Sequence, residues 1–362
     1  MNNASGMHTS TKVFQLLAIT VLVGVILFFA KSILAPLAIA GILAMLFVAP
    51  SNALERKRFP RWLTALLCVL VFLLVAAGLF FLLNWQLQSF SDNVDAMKQN
   101  LSSLLSRIQE WVDDRFGIDK EQQKAIAQEE MKASQQTSGL TTSFASGFMS
   151  MAVDTILVIV YSYLLLLYRG RIKEFILKVA KDSPTNKTVD IIDSSTKVAA
   201  HYVSGLAKMI LVLWVLYGLG FSLIGVENAI FFAILCGLLE LIPFVGNLTG
   251  TGITVLGVVA QGGKGDMILL VIAIYAAVQF VQTYLLEPLI VGNEVNINPL
   301  FTIISLVVAE AIWGIPGMVL AIPVIGVCKI ICDRVDALKP YGFLIGTEQK
   351  RKRTIPFRKK RQ

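Results

Sequence analysis

The chain has 362 residues, 56% of them apolar and only 15% charged, with a mean hydropathy of +0.70 and a formal net charge of +8. Soluble domains carry about one quarter charged residues, and here the apolar residues fall in long runs. That excludes an ordinary soluble enzyme and points to an all-α polytopic membrane protein with about 8 transmembrane segments.

Residues 1–84 read as a three-span region. Val13 to Ala30 and residues 33–49 are apolar runs separated only by Lys31 and Ser32, which suits a helical hairpin. Glu55, Arg56, Lys57, Arg58 and Arg61 then make a short basic loop, the mark of the cytoplasmic side. Trp62 to Leu83 is the third span.

Residues 85–146 form the long polar segment, in which acids outnumber bases; parity places it outside. Leu87, Phe90, Val94, Met97, Leu101, Leu104, Ile108 and Trp111 follow the alternating three–four spacing of a heptad seam. Such a helix either packs on its own subunit or associates with copies of itself.

Residues 147–335 read as the transport core. Phe148 to Tyr168 returns inward, and Ile172, Phe175, Ile176 and Val179 stand among bases as on an interfacial amphipathic helix. A helical lead-in from 186 enters the fifth span, 206–226. His201 and Lys208 at its mouth read as interfacial contacts.

Residues 229–260 are two apolar arms, each short for a span of about 20 residues, around the elbow Pro243 to Asn247. Glu240, Pro243, Gly246 and Asn247 have no use in a plain anchor. A helix broken at membrane depth frees backbone groups and is tolerated where it is buried in protein or lines a wet cavity. A carboxylate beside the break is a candidate site. The simplest topology is a re-entrant hairpin.

Met267 to Leu286 is a full span. Gln279, Thr283 and Glu287 share one of its faces, flanked by Tyr275 and Gln282. That polar stripe serves interhelical hydrogen bonding or substrate contact. Residues 287–299 read as a polar connector ending in Asn298 and Pro299. A second broken hairpin, 300–332, follows: Glu310 precedes a Gly/Pro elbow at Ile312 to Pro316. Paired interrupted segments are the best sequence pointer to a transport site. Residues 336–362 form a tail rich in lysine and arginine, suited to an anionic cytoplasmic leaflet and, without interleaved aromatics, not to nucleic acid. Both termini are expected in the cytoplasm.

No catalytic set is legible. His8 and His201 lie near no nucleophile, and no phosphate-binding loop offers ATP drive. Cys68, Cys236, Cys328 and Cys332 lie in apolar runs and suit packing, not disulfides or a metal. No cofactor is expected. A carboxylate withdrawn from water favours its protonated form, which suits ion or proton coupling. Carbonyls freed at the two breaks could meet a cation or a polyol.

Three motifs then carry a resemblance: Leu241-Ile-Pro-Phe-Val-Gly246; Glu287-Pro-Leu-Ile-Val-Gly292 with Asn298-Pro-Leu; and Trp313-Gly-Ile-Pro-Gly-Met-Val-Leu-Ala-Ile-Pro323. With the hairpin, basic loop and polar segment, they make the chain resemble the autoinducer-2 exporter family of bacterial permeases over nearly its whole length. The resemblance implies a bacterial cytoplasmic (inner) membrane transporter. Its cargo would be a small polar metabolite such as a quorum-sensing signal, or it would exchange sodium or lithium for protons. It also implies homo-oligomers such as pentamers, which would give the 87–111 seam its partner. Asn247 departs from the family, where many members have proline. An oligomeric channel or scaffold without coupled transport is the alternative of another class.

Overall fold

The computed structural model describes residues 3–91, 103, 106, 140–181, 184–243, 245–263, 265–291 and 297–347. Among these the chain is helical throughout, apart from turns and one isolated bridge between Ile297 and Gly346. Helices α1 (Asn3–Phe29), α2 (Lys31–Arg56) and α3 (Arg61–Ser91) come first, then α4 (Leu140–Leu167) and α5 (Arg169–Val179). The long α6 (Thr185–Leu223) leads to α7 (Ala229–Leu239), α8 (Val245–Ala260) and α9 (Gly265–Val281). Helix α9 runs on as a π-helical segment, Gln282–Val291. Helices α10 (Pro299–Trp313), α11 (Ile315–Arg334) and α12 (Lys339–Ile345) complete the chain, with a 3₁₀ turn at Asp336–Leu338. Lipid cannot satisfy exposed backbone groups, so apolar runs of this length settle as helices.

Five described helices are long and apolar enough to cross a membrane: α2, α3, α6, α9 with its π extension, and α11. Helices α4 and α5 meet the same length and hydropathy test only when taken together, across a bend of 69° between Leu167 and Arg169. Leu17–Phe29, α7, α8 and α10 are shorter apolar helices. Together they make a polytopic all-α membrane protein. Helix α11 is long enough to cross unaided, so the second broken region pairs a short arm with a full-length one.

Helix α6 is the hub, packed against α2, α5, α7, α9, α11 and the π segment. Its inner face (Leu213, Tyr217, Phe221) meets Phe232 and Cys236 of α7, Val258 of α8, and Val271 and Val278 of α9. Tyr217 stacks between Phe221 and Tyr275, at ring-centroid distances of 5.5 and 6.1 Å. A second small core joins Ile42 of α2, Ala199 of α6 and Leu320 of α11.

Ion pairs fasten the helix ends. Glu55, at the end of α2, takes Arg169 at 2.6 Å where α4 turns into α5. Arg334 of α11 reaches Asp190 of α6 at 2.7 Å, and Asp336 is held by Lys187 and Lys339 at 2.8 and 2.7 Å.

Two sequence expectations change. Helix α8 begins at Val245, so Gly246 and Asn247 lie in its first turn and not in the elbow. Residues 287–291 are not connector. Proline cannot donate to an α-helical bond, yet the chain winds through Glu287 and Pro288 by widening into the π form. The seam residues Val94, Met97, Leu101, Leu104, Ile108 and Trp111 lie outside the described residues. Leu87 and Phe90 fall on the backbone of α3, and their side chains are likewise outside the description.

Candidate functional site

The break after α7 is short and economical. Amides of Glu240, Leu241 and Ile242 donate to the carbonyls of Cys236, Leu238 and Leu239 at 3.1, 3.1 and 2.9 Å. Pro243 has no N–H to satisfy, and the amides of Val245 and Gly246 donate to Pro243 and Ile242 at 2.7 and 2.9 Å. Tight turns thus absorb the donors that a broken helix exposes. The return arm can fold back this sharply because Gly246 is bare: a Cβ there would run into the Leu239 carbonyl. Gly250 packs on Cys236 and Gly257 on the Phe232 ring in the same way, small residues letting α7 and α8 approach.

Side chains on the facing helix hold both banks of the break. Glu240 Oε1 accepts from Gln282 Nε2 at 2.6 Å. Asn247 Nδ2 donates to Gln279 Oε1 at 2.5 Å, and Gln279 Nε2 donates to Thr283 Oγ1 at 3.3 Å. Gln282 is 1% exposed, among the most buried polar side chains described. Glu287, exposed on the same segment, lies near Gln282 and within electrostatic range of Glu240. The π segment explains this: its i to i+5 turn sets residues 282 and 287 on one face.

The cluster is rich in acceptors. Gln282 Oε1 and Asn247 Oδ1 are buried with no hydrogen-bond partner. Orphaned buried polar atoms are uncommon, because each costs about 1–3 kcal/mol. Among the described residues, neither Glu240 nor Glu287 forms an ion pair with lysine or arginine. Tyr217 and Tyr275 stack in the core packed beside the break. Two acidic side chains and two unused amide oxygens suit a ligand that brings hydrogen-bond donors or positive charge. No group of three His, Cys, Asp or Glu side chains that could hold a metal ion occurs among the described residues.

The structure brings together Glu240, Gly246, Asn247, Gln279, Thr283 and Glu287, with Pro243 at the turn. It sets Asn298 and Glu310 apart. Asn298 is the N-cap of α10, its side chain accepting from the Leu300 amide at 3.0 Å. Glu310 is exposed on α10. The second elbow turns on Gly314, whose φ of +65° favours glycine, and Trp313 Nε1 donates to the Leu27 carbonyl of α1 at 3.0 Å. Gln282 is the residue that sequence reasoning left at the margin. An α-helical period puts it off the 279–283–287 stripe; the widened turn sets it on the face of Glu287.

The family model described as AI-2E family transporter matches residues 17–337. The chain belongs to the AI-2E transporter family. Similar proteins include YueF of Bacillus subtilis (strain 168), named as a candidate transport protein, 28% identical over 313 residues, 83% of this chain and 84% of the relative. PerM of Escherichia coli (strain K12), named as a candidate permease, is 27% identical over 321 residues, 84% of this chain and 88% of the relative. YrrI of Bacillus subtilis (strain 168) is 24% identical over 324 residues, 83% and 86% of the two chains. The AI-2E match and the apolar helices together make this a multi-pass membrane protein of a transporter family.

Proposed function

We propose that this AI-2E family protein is a secondary transporter exporting a small polar metabolite, such as a quorum-sensing signal, through the Glu240 site. The observation that carries the reading is the pair of buried, unpartnered amide oxygens beside a carboxylate at a helix break. A hydroxyl-rich solute supplies the donors these acceptors require. Export is tested in cells that produce such a signal, by following its appearance in the medium with wild type and with Glu240→Gln. The reading requires that the variant inserts normally and that efflux falls to the level of cells without the protein. Undiminished efflux through the variant refutes it.

A second reading, exchange of sodium or lithium for protons, is favoured by one further observation. Glu240 accepts from Gln282, Glu287 stands nearby, and neither has a basic partner among the described residues. A half-buried carboxylate with a second one nearby favours a proton or a cation between them. Cation-dependent proton flux that vanishes in both Glu240→Gln and Glu287→Gln supports exchange; flux that survives either change excludes this pair as its seat.

A further inference from the structure

Helix α5 divides into three faces. Lys173, Leu177 and Ala180, at helical spacing, are partly covered and turn toward α6, where Lys173 Nζ reaches Asp193 at 2.9 Å. Ile172, Phe175, Ile176 and Val179 form a second stripe, and all four are exposed, Phe175 by 65% and Val179 by 69%. Arg171, Glu174, Lys178 and Lys181 make the third face, also exposed. Within it Lys178 pairs with Glu174 at 2.7 Å, and Arg171 sits 5.8 Å from the ring centroid of Tyr168. A helix that already packs one face has no internal reason to bare a continuous apolar stripe.

Its placement supplies the reason. Helix α5 follows the apolar 28-residue helix α4 directly and leaves it at 69°; with α4 crossing the bilayer, as the sequence predicts, α5 runs nearer the membrane plane than the normal. Arg169, at the corner, is anchored by Glu55 and by Asn52 at 2.6 and 2.8 Å, which fixes the turn. A helix so held has its apolar stripe at the acyl boundary and its bases at the headgroups. Arg171 and Lys181 have no carboxylate within ion-pair distance among the described residues, and so remain free for a negative headgroup.

We propose that α5 is a membrane-surface element that docks on anionic lipid, its apolar stripe inserted beneath the headgroups and Arg171 and Lys181 binding their charge. The partner is the leaflet itself, not a second protein. Basic residues at such a surface each gain from anionic lipid, and α5 transmits that hold to the hub helix through Lys173 and Asp193.

The test uses the full chain in proteoliposomes. Phe175→Trp places a reporter in the stripe, read as the difference from wild type, whose native tryptophans are subtracted. Acyl-brominated phosphatidylglycerol and acyl-brominated phosphatidylcholine are compared as quenchers at low salt. The expected result is strong quenching of the reporter by both. The anionic lipid should be enriched about two- to fivefold around it, and Arg171→Gln with Lys181→Gln should abolish the enrichment. Equal quenching by the two lipids would overturn the headgroup claim. Absence of quenching by either would overturn docking altogether and assign the stripe to a protein contact. None of these readouts depends on transport, so the result stands apart from the fate of the proposed function.

Discussion

Replacing Glu240 with glutamine keeps the size of the side chain and removes its charge. The Gln282 amide keeps a carbonyl to bond, so the fold is expected to survive while transport is lost. Gln282→Leu removes the donor and leaves a carboxylate in a half-buried place without its partner. That is expected to lower stability by about 1–3 kcal/mol, read as a fall in the thermal midpoint of the purified chain in detergent; the same midpoint in both proteins would deny Gln282 its bridging role. Gly246 and Gly252 make a paired test on α8. A methyl at 246 meets the Leu239 carbonyl, which cannot yield as a side chain does, whereas a methyl at 252 meets open space. Gly246→Ala is expected to destabilise by about 1–3 kcal/mol, and Gly252→Ala to be neutral or to stabilise by up to about 1 kcal/mol. Equal effects would refute the tight return of the hairpin.

At the scale of elements, the first break was legible because Pro243, two flanking glycines and a carboxylate sit in an otherwise apolar run. The second was legible as a break but not as a site. Glu310 precedes its elbow much as Glu240 precedes the first, yet it is exposed on α10, and the turn is made by Gly314 while its neighbour Trp313 bonds to α1. Sequence spacing carries no information about which way a hairpin faces. Glu287 and Pro288 resemble a helix end, so the sequence predicts a connector where the π segment lies. The widened turn resolves the proline locally and sets Glu287 on the same face as Gln282, a geometry that an α-helical period cannot express.

The clamp at the far ends of α6 and α11 has its own signature. Hydrogen bonds from Lys187 and then Lys339, with their charges, hold the Asp336 carboxyl down to about 2. A folded-state value below the unfolded one means that the contribution is complete above the ordinary aspartate range, near 4, and is lost as pH falls toward 2. Carbon-13 spectra of labelled aspartate carboxyls should therefore show one group titrating near 2. In Lys187→Met that group should return toward the ordinary range; an unmoved titration would refute the clamp.

For the whole molecule, the membrane class was plain from long apolar runs and sparse charge, and the motifs at 241–246, 287–292 and 313–323 pointed to the family that the comparison with known proteins then established. The number of crossings is less legible, because α7, α8 and α10 are each shorter than a full crossing and length alone does not assign them. What the molecule does rests on whether its broken helix is a working site. The most direct test is purified chain in proteoliposomes, with efflux of a hydroxylated signal and the signal of an internal pH dye under sodium or lithium gradients recorded side by side. Wild type and Glu240→Gln are compared at equal insertion. Flux of solute or of protons in wild type, abolished in the variant, is the predicted result. Flux that persists unchanged in Glu240→Gln, or wild-type vesicles silent in both channels, would contradict a transport site at Glu240 and leave the oligomeric scaffold as the better account.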